Sequence, residues 1–172
     1  MGFVTIDGEV VHTSFLNYDM TSLDKLNLLH PKIRQSAIDA YNEAVKATPV
    51  GIHPVIDQTY RTFAESQALY DQGRTTPGSI VSNAKPGQSY HNYAMALDFH
   101  LQVNGVDKWE VNHDWMTVVN IFKSHGFTWG GDFSGNFKDY PHLENKLGHN
   151  WRDLLALHNA KNFISGTEFV NI

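Results

Sequence analysis

The sequence predicts an α+β fold in which a small antiparallel sheet packs against helices. Two observations predict it. Across residues 94–101 the large apolar side chains Met95, Leu97, Phe99 and Leu101 alternate with Ala94, Ala96, Asp98 and His100, the period of a strand with one face in a core. Elsewhere apolar residues recur at helical spacing, as in Ile33, Ala37, Tyr41, Ala44 and Val45, or in Trp115, Val118, Val119 and Phe122.

Residues 3–6 and 9–11, joined by Asp7-Gly8, read as a packed N-terminal hairpin, since Asp-Gly suits a type I′ turn. Residues 13–30 show no clear period. A helix is expected over 31–47, stopped near Pro49 and Gly51. A strand over 55–60 leads into Arg61, after which Thr62 and Glu65 form a capping box for a helix that Gly73 ends. Residues 74–90, rich in Gly, Pro and Ser, form a loop long enough to be functional, and it is expected to wall a cleft. After the central strand come a helix over 112–126, a short strand over 127–129 closed by Gly130-Gly131, and a loop over 133–138. A return strand over 142–144, a last helix over 151–160 and an extended tail over 167–172 complete the chain. His149 and His158 fall outside these patterns and are expected at the surface.

A chain of 172 residues forms one domain and buries roughly 70% of the surface its unfolded form exposes. The net charge of −5 argues against a general affinity for nucleic acid or anionic membrane. The absence of cysteine excludes disulfides and thiolate metal sites. The N-terminus has neither a basic start nor an apolar run of signal-peptide length, and no stretch approaches the ~20 apolar residues of a membrane span. The protein is expected to be a monomer made in the cytoplasm without a signal peptide, unless a leader has been removed.

The chemistry concentrates in two clusters. His91 precedes Asp98 by seven residues, on the order of 23 Å if extended, so the two share a site only if the chain bends near Asn92-Tyr93. In Asp139-Tyr-Pro-His142, Pro141 keeps Tyr140 out of a helix, so Asp139 and His142 can serve one site from a bent segment. Together His91, Asp98 and His142 make a two-histidine, one-carboxylate set with Asp139 to spare. Three ligands and an open position suit a catalytic zinc, and a separate carboxylate suits metal-assisted hydrolysis.

Ser89-x-His91, Asp98 and Asp139-x-x-His142, with Tyr60-Arg61-Thr62, Leu69-Tyr70-x-x-Gly73-Arg74-Thr75 and Trp129-Gly130-Gly131, resemble the zinc peptidases of the D-alanyl-D-alanine carboxypeptidase and L-alanyl-D-glutamate endopeptidase family. That family includes phage endolysins and shares its metal site with the hedgehog domain. The resemblance makes 31–145 the family core of a single catalytic domain spanning 1–172. Residues 1–30 become an N-terminal hairpin and connection, and 146–172 a C-terminal helix and tail. It implies that the sheet carries Zn²⁺ on His91, Asp98 and His142, that Asp139 moves the proton of the attacking water, and that Arg61 steadies the carbonyl oxygen. Ser89 would bind substrate or orient His91, and Trp129 would line the cleft unless it is a core residue. An Asp three residues before the last His goes with endopeptidases, so the implied substrate is the L-Ala–D-Glu bond of the peptidoglycan stem peptide, cleaved at the cell wall after release. The alternatives are a D,D- or L,D-carboxypeptidase or dipeptidase and a non-catalytic zinc-containing wall-binding module. A non-haem iron oxygenase is disfavoured because its first two ligands usually sit two apart. Two positions depart from the family: Thr59 and Ala94 stand where Gly is usual. If residue 94 has positive φ, its Cβ costs on the order of 1 kcal/mol.

Overall fold

The computed structural model describes residues 21–172 together with the backbone of residues 3–6 and 9–12. Strands β1 (Phe3–Ile6) and β2 (Glu9–His12) pair antiparallel with Ile6 opposite Glu9, the register of a two-residue connection. The expected Asp7-Gly8 turn lies outside the described residues.

Helix α1 (Pro31–Ala47) starts with Pro at its first position, where a missing N–H costs nothing. Its Ile33, Ala37, Ala40, Tyr41 and Ala44 are buried. The N-cap is His30, whose Nδ1 accepts from Lys32 N at 3.2 Å while Nε2 faces the Val170 carbonyl at 2.9 Å. Thus the C-terminal residues are not a free extended tail: Val170 bridges Phe163 and is buried against the start of α1.

The second sheet runs β3 (Ile52–Gln58), β4 (Ala96–Val103), β7 (His142–Glu144), β6 (Thr128–Trp129), with β5 (Val106–Lys108) also on β4. All its pairings are antiparallel, as expected. β3 begins three residues earlier than the sequence suggests and includes Pro54. Proline is tolerated there because β3 is an edge strand, with a partner on one side alone among the described residues. β4 has β3 along one edge, while its other edge is shared by β7 at residues 96–98 and β5 at 101–103.

Period-two alternation divides the sheet into two faces. Met95, Leu97, Phe99 and Leu101 are fully buried, with Leu143 of β7 opposite Leu97. Trp115, Val118, Val119 and Phe122 of α3 (His113–Ser124) and the stripe of α1 complete that core. Helices α2 (Phe63–Asp71) and α4 (Trp151–Asn159) flank it. The opposite face of the sheet carries Asp98, His142 and Glu144, and this is where the chemistry gathers.

Candidate metal centre and cleft

The bend that the sequence requires between His91 and Asp98 is a 3-10 turn, Tyr90–Tyr93, followed by Ala94 in the left-handed region at φ 56, ψ 36. Ser89 caps the turn, accepting from His91 N at 3.3 Å. Asn92 ties it to the start of α2, its Nδ2 donating to Ser66 Oγ at 2.8 Å and to the Arg61 carbonyl at 2.9 Å. Arg61 N donates in return to the His91 carbonyl at 3.0 Å. The turn and the β3–α2 junction are therefore one braced unit.

Pairing of β4 with β7 sets Asp98 opposite His142. His91 Nε2 lies 3.3 Å from Asp98 Oδ1, His142 Nδ1 lies 3.1 Å from the same oxygen, and the two nitrogens are 3.2 Å apart. One ligand atom from each residue falls within 4.8 Å of the others, a set able to hold a metal ion. The far nitrogens are also held. His91 Nδ1 faces the Thr59 carbonyl at 2.7 Å, which can only accept, so Nδ1 donates there and Nε2 is the nitrogen a metal would take. His142 Nε2 faces Glu144 Oε2 at 3.1 Å, and Glu144 Oε1 accepts from Lys146 Nζ at 2.9 Å. Two imidazoles and a carboxylate, each imidazole oriented by an oxygen acceptor, fit zinc chemistry.

Electrostatics agree with the geometry. Burial disfavours a charge on Asp98, but His91 and His142 outweigh it and hold the carboxyl well below the usual range. Burial likewise works against a charged His142, yet Asp98 and Glu144 raise it to about 9. A metal entering this site must displace that proton. Burial pushes Asp139 above the ordinary carboxylate range, against the pull of His142.

A cleft of about 940 Å³ opens over these groups, lined by Arg61, Ser89, His91, Asp98, Asp139 and His142 among others. Arg61 donates through Nε and Nη2 to Gln58 Oε1, and Nη2 is 3.9 Å from Asp98 Oδ2. One wall is the 74–90 loop, contributing Ile80, Val81, Ser82, Asn83 and Ala84. Arg74 braces that wall, donating to the Ser82 carbonyl and Asn83 Oδ1, each at 2.9 Å. Gly73 beneath it has φ +74, and a Cβ there would meet Ile80 N at 2.6 Å.

Trp129 is not on the cleft wall. It is 7% exposed within the core, and its Nε1 donates to the Tyr140 carbonyl at 2.6 Å. A Cβ on Gly130 would meet Asp139 O at 2.2 Å, and one on Gly131 would strike the Trp129 ring. Trp129-Gly130-Gly131 is thus the seat on which the segment carrying Asp139 rests. His100 shares the face of Asp98 but touches neither histidine ligand; its Nδ1 contacts Asp57 at 2.9 Å and its Nε2 lies 3.1 Å from Asp107. His149 and His158 are each partly exposed, and His158 stacks on Phe63 at 4.3 Å.

The sequence profile of the D-alanyl-D-alanine carboxypeptidase family matches residues 82–145, the stretch that contains all three candidate ligands. The peptidoglycan L-alanyl-D-glutamate endopeptidase CwlK of Bacillus subtilis is 47% identical over 125 residues, 67% of this chain and 72% of CwlK. The chain belongs to this peptidase family. The L-alanyl-D-glutamate peptidase of Listeria phage A118 is 33% identical over 96 residues, 55% of this chain and 31% of its own length. Among solved structures, the L-Ala D-Glu endopeptidase ChiX of Serratia marcescens superposes with a TM-score of 0.54 at 18% identity, over 77% of this chain and 88% of ChiX. The LD-carboxypeptidase LdcB gives 0.53 at 19% identity, over 68% and 58%. These two show the peptidase fold. Within that fold, sequence reasoning missed Gln58, the Thr59 carbonyl, Glu144 and the bracing hydrogen bonds of Asn92, which it named only as the bend. A carbonyl leaves no mark in sequence. Glu144 did leave one, since it lies two residues after His142 on a strand and so shares its face.

Proposed function

We propose that the chain hydrolyses the bond between L-alanine and D-glutamate in the peptidoglycan stem peptide, with zinc held by His91, Asp98 and His142, and that it acts at the cell wall. The convergence of those three ligand atoms beside Asp139 and Arg61 on one cleft carries the reading. The bond assigned is supported by the 47% identity to an endopeptidase of that specificity, and by Asp at position 139.

When bound, zinc supplies a Lewis acid and lowers the pKa of water toward neutrality. Asp139 accepts the proton of the attacking water. Its raised affinity for protons lets it keep this one and deliver it to the departing amine. Arg61, aimed by Gln58, donates to the carbonyl oxygen as negative charge develops there. Ser89 acts through His91, capping the turn that presents it. Trp129 acts through Asp139, by way of Tyr140. No helix among the described residues is long and apolar enough to cross a membrane.

Mass spectrometry of purified muropeptides incubated with the zinc-loaded protein tests the reading. Release of the stem from D-Glu onward, with L-Ala left on the sugar, is the expected result. Asp139→Asn should bind zinc and lose at least ~100-fold in rate, the usual range for general acid–base groups. Loss of terminal D-Ala alone would make it a carboxypeptidase. Zinc binding without cleavage would make it a wall-binding module.

A further inference from the structure

Lys146 lies two residues beyond the end of β7 and lines the cleft. Its Nζ donates to Glu144 Oε1 at 2.9 Å and lies 5.2 Å from the Tyr90 ring centroid. Glu144 in turn meets the His142 ring, so the ammonium stands one carboxylate and one imidazole away from the ligating Nδ1 of His142. An ammonium has three donors, and Glu144 takes one of them. With 43% of the side chain exposed, the others can face the cleft.

Apart from the histidines, Arg61 and Lys146 are the two cationic side chains lining the cleft among the described residues. Arg61 comes from the β3 side and is drawn to Gln58 and Asp98. Lys146 comes from the β7 side, so the two cations flank the ligands across the sheet. Asp98, Asp139 and Glu144 lie between or beside them. Asp139 and Glu144, which are not metal ligands, disfavour an anionic substrate group beside them unless a cation meets it, and Arg61 is assigned to the reacting carbonyl.

We propose that Lys146 binds the free carboxylate of the D-glutamate that follows the scissile bond. The inference rests on the reaction assigned above. D-Glutamate is dicarboxylic: one carboxyl continues the stem peptide, and the other remains as a carboxylate or, in amidated stems, as a neutral amide. Glu144 and the Tyr90 ring hold the lysine in place before substrate arrives, so little side-chain freedom is lost on binding. Lys146 therefore selects the carboxylate form of the stem over the amide.

The test compares kcat/KM on two synthetic muropeptides, identical but for that carboxylate or amide, for wild type, Lys146→Met and Lys146→Arg, each checked for equal zinc content. Wild type should prefer the carboxylate. In Lys146→Met the ratio of the two values should fall about 10-fold or more, the worth of a charge-assisted hydrogen bond, and Lys146→Arg should keep most of it. A role confined to supporting Glu144 and His142 would lower both substrates equally and leave the ratio unchanged, which overturns the assignment of Lys146 alone. If wild type cleaves neither substrate, the reaction assignment fails and this inference fails with it.

Discussion

Ala94 ends the turn that carries His91, at φ 56, where a Cβ crowds the following carbonyl. Hydrogen bonds hold it there from both sides: its N–H donates to the His91 carbonyl at 3.1 Å, and its own carbonyl accepts from His30 N at 2.8 Å. Strain of ~1–2 kcal/mol is set against a methyl that is fully buried, worth ~0.8 kcal/mol, and against the extra unfolded freedom of Gly, ~0.4–1 kcal/mol. The three nearly cancel. Ala94→Gly should therefore melt within about 1 kcal/mol of wild type, whereas Ala94→Val, branched at a left-handed position, should lose more than about 2 kcal/mol by denaturant titration. The candidate ligands His91, Asp98 and His142, and Asp139 beside them, were legible in sequence because they fall in two tightly spaced clusters. The backbone groups that orient them were not, since every residue has a carbonyl.

Among the elements, α2 is the one whose start matters most, because Arg61 immediately precedes its cap. Thr62 Oγ1 accepts from Glu65 N at 3.1 Å, and Glu65 Oε2 accepts from Thr62 N at 2.7 Å. This reciprocal cap was readable from Thr-x-x-Glu alone, because both partners lie within one helical turn. Thr62→Ala should cost about 1 kcal/mol, seen as a lower urea midpoint with unchanged slope. An unchanged midpoint would mean that Asn92, not the cap, holds the junction. The limits of β3 were less legible. Pro54 argues against a strand interior by itself, and it takes the sheet order to show that its N side is an edge.

Across the whole molecule, β4 joins two polar clusters on one face: the ligand set at Asp98 and the Asp57–His100–Asp107 group two residues further along. Burial lowers the proton affinity of His100, but Asp57 from β3 and Asp107 from β5 outweigh it and raise the pKa above 6.5. The ion pairs therefore stabilise the fold fully below about pH 6.5, and this contribution is lost as pH rises through the raised folded value. In zinc-loaded protein the stability gap between wild type and His100→Gln should be widest near pH 6 and narrow toward pH 9. A gap that widens with pH would show a neutral His100 at work. What the sequence determined by itself was local: helices, caps, the two-faced strand and the residue types of the site, all set by spacings within a turn or a pleat. Tertiary structure decided the register. Pairing β4 with β7 so that Leu143 joins Leu97 in the core turns His142 and Glu144 toward Asp98, and a slip of one residue would drive them into the apolar core instead. Strands more than forty residues apart carry no local signal of that pairing, because the burial of both apolar faces at once selects it.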